Sequence, residues 1–359
     1  MLNHTYAIRV IFGVVMSKLK LIFRRETIFS IGKINILPIL LISTASPAIS
    51  QNNCADYPVF NISENQKIEI TIEGRPVTAF TSPGMPSEIN ISKSFAQSLY
   101  GKSANKFAST FERIIAALAK DDFDDSPPQY VQSRIGPIKI RGQQRVAKIR
   151  MSGEASKQLV RWHDADKYEF SNVLVGPYAI PAPIIRFALR AAQPGETIFS
   201  VPLASADKWW VATTPKQIGK KKVYFAFAPQ FETTLASAAA GASIAENYGG
   251  EFVGDAQQIL ISHNVARPAR PVRLKSPLSF GPMNISKILV RNRDYGDANS
   301  IKEAKAADAN DDEILVQARR KGTDPAYVVY IGNDMLKNCS SITYDKPAKT
   351  ITLSCIPLK

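Results

Sequence analysis

The sequence predicts a mostly β protein made of two tandem lobes, and three observations predict it. The first is length, since 359 residues exceed one small core and suit two lobes of roughly 100 to 150 residues. The second is strict alternation of apolar and polar residues in stretches such as KIEITIEGRPVTAFT from Lys67, which is the period of half-buried strands. The third is a pattern present twice. VTAFTSPGMPSEINI starts at Val77 and VYFAFAPQFETTLAS at Val223, 146 positions later. Each copy is followed much later by an apolar pair and a glycine, Leu174, Val175 and Gly176 in the first and Tyr330, Ile331 and Gly332 in the second.

Ahead of the repeat, residues 1–50 read as a signal peptide with an N-terminal extension. A basic stretch with Lys18, Lys20, Arg24, Arg25 and Lys33 precedes the apolar run Ile34 to Ile42, and Ala48 and Ser50 supply the small residues of a cleavage site before Gln51. The run is too short for a permanent transmembrane helix, so no stable span is expected and the mature protein is predicted to be exported, periplasmic or secreted. A membrane-retained N-terminus is the rival reading, and Met16 rivals Met1 as the start. Residues 51–65 read as a tail, 66–203 as lobe one, 204–219 as a connector and 220–359 as lobe two.

In lobe one, Glu73 and Gly74 mark the turn of a first hairpin. Residues 106–120, KFASTFERIIAALAK, shift to helical spacing with Phe107, Phe111, Ile114, Ile115 and Leu118 on one stripe. The aspartates at 121, 122, 124 and 125 run into Pro127 and Pro128, which reads as a solvated loop because a calcium loop needs spaced ligands and a glycine. Strands resume from Tyr130 through RIGPIKIRGQQRVAKIRM, and the lobe closes on a buried run ending at Gly176 and a hairpin around Pro194 and Gly195. The connector holds Trp209 and Trp210. Lobe two repeats the order, with a small-residue helix near Ala236 to Glu246 and an Ala-, Lys-, Asp- and Glu-rich segment, 297–321, that reads as an exposed helical excursion. A helical insertion is thus expected in each lobe.

Cys339 and Cys355 bracket two β-rich runs about Pro347, so a hairpin there places the sulfurs opposite each other. The expected disulfide suits an oxidising compartment. Cys54 is left over. His163 and His263 survive in the mature chain without metal-ligand spacing, and no metal or other cofactor is expected.

The full chain carries a formal charge of +14, and losing six basic side chains and Glu26 with residues 1–50 leaves +9. A basic exported protein favours polyanionic partners such as phospholipid head groups or acidic polysaccharide, alongside the bland reading of a merely soluble surface. Nucleic acid is disfavoured, because no aromatic and basic interleaving appears and Lys220 to Lys222 look like a solvated strand opening.

The closing segment YIGNDMLKNCSSITYDKPAKTITL, with its apolar pair, glycine, short helix and a hairpin carrying Tyr344 and Asp345, resembles the end of a retropepsin-like or pepsin-like aspartic protease lobe. VYFAF before Ala228 and VTAFT before Ser82 are similar to the apolar strands that lead into the family's Asp-Thr-Gly triplets. The resemblance covers residues 66–357 and implies a bilobal, pepsin-like architecture from two retropepsin-like lobes, with Gly176 and Gly332 as structural glycines.

This chain departs from the family at the triplets themselves. Ser82, Pro83 and Gly84 stand in one, Ala228, Pro229 and Gln230 in the other. The family's chemistry needs two carboxylates sharing a proton, and neither position supplies one. The expectation is an exported pseudoenzyme whose interlobe cleft, lined by Thr81, Ser82, Pro83, Gly84, Met85, Phe227, Ala228, Pro229, Gln230 and Phe231, binds a peptide, a protein or an envelope component. Two alternatives stand beside it. One is an active aspartic endopeptidase using displaced acids, Glu88 and Glu232. The other is a basic envelope scaffold with no cleft ligand.

Overall fold

The computed structural model describes residues 57–85, 87–101, 128–135, 138–164, 171–204, 211–292, 298, 300–303 and 325–357. Outside them lie the signal segment 1–50, Cys54, the helix expected at 106–120, the aspartates of 121–125, Trp209 and Trp210, and most of 297–321.

The described chain is mostly strand. The first part runs β1 (Val59–Ile62), β2 (Lys67–Ile72), β3 (Arg75–Thr81), β4 (Ile89–Ile91), helix α1 (Lys93–Tyr100), β5 (Gln129–Ile135), β6 (Ile138–Met151), β7 (Glu154–His163), β8 (Val173–Val175), β9 (Ile184–Ala188) and β10 (Thr197–Pro202). The second runs β11 (Thr214–Ile218), β12 (Lys221–Phe227), β13 (Leu235–Ala236), α2 (Ala238–Tyr248), β14 (Gly250–Phe252), β15 (Gln257–Leu260), β16 (Ala266–Phe280), β17 (Met283–Arg291), β18 (Lys302–Glu303), β19 (Val328–Ile331), α3 (Asn333–Leu336), β20 (Cys339–Asp345) and β21 (Thr350–Cys355).

These strands form three sheets. A seven-stranded sheet has the order β2-β3-β8-β4-β7-β6-β5, and an added β2–β6 pairing closes six of its strands into a barrel. A nine-stranded sheet has the order β11-β12-β19-β13-β17-β16-β14-β18, with β15 on β16. A five-stranded sheet, β1-β9-β20-β21-β10, draws strands from both ends of the described chain.

One local topology occurs twice. β3 runs parallel to β8, which pairs antiparallel with β4, which runs parallel to β7. Likewise β12 runs parallel to β19, β19 pairs antiparallel with β13, and β13 runs parallel to β17. A serine-capped helix follows in each case. Ser92 accepts from the Phe95 N–H ahead of α1, and Ser237 from the Ala240 N–H ahead of α2, which satisfies a backbone donor that a helix start leaves open. Alternation packs the sheets, since Ile68, Ile70 and Ile72 of β2 are buried while Lys67 and Glu69, which alternate with them, are exposed. The turn of the β2–β3 hairpin falls at Glu73 and Gly74, both at positive φ, the conformation a two-residue hairpin loop requires.

Four local expectations change. Pro194 and Gly195 do not turn a hairpin, because β20 and β21 lie between β9 and β10. The Glu196 carboxylate holds that insertion in place. Its Oε2 accepts from Ser340 Oγ at 2.5 Å and Ser354 Oγ at 2.7 Å, while its Oε1 accepts from Arg190 at 2.7 Å and the Gln193 N–H at 3.0 Å. The tail 51–65 contributes β1, which pairs in parallel with β9. The connector 204–219 holds β11, paired with β12. The excursion 297–321 includes β18, a strand paired with β14 and anchored by Arg270 donating to both oxygens of Glu303 at 2.6 and 2.8 Å. α1 is a helix that the sequence reading did not place.

The β20–β21 hairpin turns at Pro347 as expected, and Cys339 and Cys355 are opposite each other in register and disulfide-bonded. Among the described residues no helix is long and apolar enough to cross a membrane.

Candidate functional site

Each of the twin topologies ends its leading strand in the same tight turn. Met85 N–H donates to Ser82 O at 3.0 Å, and Phe231 N–H to Ala228 O at 3.0 Å, so the turns coincide residue for residue at the repeat offset. The two tips touch. Ser82 Oγ donates to Gln230 Oε1 at 2.9 Å, and a Cβ placed on Gly84 would lie 2.8 Å from Ala228 Cβ and 2.9 Å from Phe227 O. Glycine at 84 is therefore a close-approach residue, required by the neighbouring tip and not by its own backbone.

Gly332 plays a similar part behind the second tip. A Cβ there would meet Thr233 C at 2.6 Å, and its N–H donates to Thr234 Oγ1 at 3.1 Å. Asp334 completes that brace, its Oδ1 accepting from Thr234 N–H at 2.9 Å and Thr234 Oγ1 at 2.8 Å. Sequence reasoning singled out the glycine but missed Thr234 and Asp334. Gly176 follows β8, and its carbonyl accepts from the Ala179 N–H.

The residues expected to line an open cleft are mostly closed off. Thr81, Ser82, Met85, Phe227 and Ala228 are each 0% exposed, and Pro83 and Gly84 are buried; Pro229, Gln230 and Phe231 keep partial exposure. The reason is a roof of two hairpins. Ile135 and Ile140 from the β5–β6 hairpin share one apolar cluster with Ile261, Ile259 and Val265 from the β15–β16 hairpin, and the same cluster takes in Ala228, Phe231, Leu289 and Tyr330. His163 at the end of β7 meets His263 in the turn of the second hairpin, ring centroids 4.3 Å apart and edge to face. The spacing of the two histidines carried no sign of this contact, because pairing across the repeats is invisible along the chain.

The tips hold hydroxyl, amide and apolar groups and no ionisable side chain. General acid–base chemistry needs a positioned group that exchanges a proton near working pH, and residues 81–85 and 227–231 supply none. Thr81 Oγ1 is buried with no hydrogen-bond partner among the described residues. Of the displaced acids, Glu88 forms an ion pair with Arg161 at 3.1 Å and Glu232 is exposed. Among the described residues no group of three or more His, Cys, Asp or Glu side chains gathers as a metal site would.

No protein-family model matches the chain, and no curated protein matches it. Among solved structures, the retroviral protease-like domain of Ddi1 from Leishmania major is similar over 32% of this chain and 72% of that one, at 12% identity and a TM-score of 0.19. A score that low carries no inference about this chain, and the strand pairing stands by itself.

Proposed function

We propose that this chain is a bilobal, pepsin-like protein of two retropepsin-like lobes that has lost hydrolysis and works by binding. Its cleft admits an extended apolar peptide or protein segment when the two roofing hairpins part. The observation that carries the reading is the meeting of the tips, with Ser82 bonded to Gln230 where a proton-sharing acid pair would stand. The twin topology supports the two lobes. The apolar groups around Ala228, Phe231 and Tyr330 support the chemistry of the occupant, because a ligand entering that space replaces hairpin side chains with its own. The disulfide supports an exported, oxidised setting.

The test incubates the protein with unfolded polypeptides between about pH 3 and pH 8, which includes the acidic window where a carboxylate pair shares one proton. We expect no cleavage, and capture of unfolded chain that Phe231→Arg abolishes. Cleavage that pepstatin blocks would end the proposal and revive Glu88 and Glu232. Binding to anionic vesicles that is salt-sensitive and survives Phe231→Arg, with no polypeptide capture, would favour the envelope scaffold.

A further inference from the structure

The outer face of the five-stranded sheet carries a cavity of about 330 Å³. It is lined by residues of β1, β9 and β20 and by the chain just beyond them. Strand alternation builds it. Ile185 and Phe187 of β9 point into the core at 0% exposure, which turns Arg186 and Ala188 outward, and Arg190 just beyond the strand lines the same cavity. The register sets Asn61 beside Arg186 on one side and Thr343 on the other, while Ser341 stands opposite Ala188.

The two arginines in this cavity have different states. Arg190 is fully engaged. Its guanidinium donates to Glu196 at 2.7 Å, to Asn338 O at 2.6 Å, to Lys337 O at 3.1 Å and to Ala191 O at 2.6 Å, so its charge is balanced and it forms a rigid wall. Arg186 is exposed, and no carboxylate pairs with it among the described residues. The cavity thus presents one uncompensated cation together with the Ser341 hydroxyl, the Ala188 side chain and the Asn61 amide, whose Nδ2 makes only a long bond to its neighbour Val59 O at 3.4 Å. The Arg190 wall is held before any ligand arrives, which lowers part of the ordering cost of binding.

From this arrangement we infer that the Arg186 cavity is a binding site for a carboxylate carried on a small polar group. A guanidinium fork matches a carboxylate with two parallel hydrogen bonds, and neutral amide and hydroxyl donors complete its shell. A single cation balances a single negative charge. A phosphate dianion would leave one charge uncompensated, so carboxylate is the favoured oxyanion. The space suits one residue of an acidic sugar or one acidic amino-acid unit, both at the lower end of small-ligand sites. The site is separate from the tips and does not depend on what the cleft binds.

The test titrates the purified protein with glucuronate and N-acetylglutamate α-methylamide, each beside its uncharged counterpart, glucose and N-acetylglutamine α-methylamide, and with inorganic phosphate. We expect at least one carboxylate to bind about tenfold more tightly than its counterpart, and Arg186→Gln to remove that difference. Arg186→Lys should keep part of it, because charge remains while the fork is lost. Arg186 is exposed, so an unchanged unfolding midpoint verifies that each variant is folded, and Phe231→Arg should leave carboxylate binding intact. Which carboxylate binds identifies the sugar or the peptide as source. The inference fails if neither carboxylate exceeds its uncharged counterpart, if Arg186→Gln binds as the parent does, or if phosphate binds more tightly than both.

Discussion

The meeting point of the tips and the outer face of the five-stranded sheet treat polar groups in opposite ways. At the tips, the centre is sealed under two hairpins and reduced to one hydroxyl–amide bond among apolar side chains. On the sheet face, a carboxylate with a side chain only 7% exposed accepts four hydrogen bonds while a neighbouring arginine stays open to solvent. The contrast teaches where this molecule keeps its electrostatics. The two tips hold hydroxyl, amide and apolar groups, and the largely buried ion pair of Arg190 and Glu196 sits beside the sheet that draws on both ends of the described chain.

The largest expected effect breaks the charged side of that contrast. Glu196→Ala leaves Arg190 half-buried without its counter-charge and strips Ser340 and Ser354 of their acceptor, so unfolding free energy should fall by about 3 kcal/mol in denaturant titration. A loss comparable to a surface mutation would mean that Glu196 does not hold β20–β21 in place. Ile140→Ala tests the sealed side. Removing a buried branched side chain should cost about 2 to 4 kcal/mol, and amide exchange at Ser82 to Met85 should quicken as the roof loosens. Unchanged exchange there would show that the hairpin does not cover the tips.

Smaller effects sharpen the comparison. Gly84→Ala drives a methyl into Ala228 and should cost about 1 to 3 kcal/mol of thermal stability. Thr81→Val removes a buried hydroxyl that has no partner among the described residues and keeps its shape, so it should be neutral or stabilising by up to about 1 kcal/mol.

The pH response separates the two regions as well. Burial acts to raise the Glu196 carboxyl, but hydrogen bonds from Ser340, Ser354, the Gln193 N–H and Arg190 outweigh it and bring it down from 4.5 to about 2. A group depressed on folding contributes stability above its unfolded value and loses it as pH falls toward the folded one. Stability should therefore decline between about pH 4.5 and pH 2, and this component of the decline should vanish in Glu196→Gln.

Much of the fold was legible because it is local. Alternation placed β2 and β3, the positive-φ turn at Glu73 and Gly74 joined them, and the spacing of Cys339 and Cys355 about Pro347 predicted their bond. The repeat offset also identified which turns correspond. The hairpin expected at Pro194 and Gly195 failed because a turn signal reports that the chain bends, and says nothing of a strand pair from far along the sequence entering the gap. The burial of Thr81 to Met85 was hidden for a related reason. Ile135, Ile140 and Ile261 look like ordinary strand residues until the hairpins that carry them are seen to share a cluster with Ala228.

By itself the sequence determined the strand periods, the duplicated turns and the absence of an acid at either one, since these depend on which residue follows which. Only the tertiary structure decided that Ser82 bonds Gln230, that His163 meets His263, and that Arg190 is neutralised while Arg186 stays available. Those outcomes depend on packing between segments some 100 to 150 positions apart. Their energies come from contacts that no local pattern encodes.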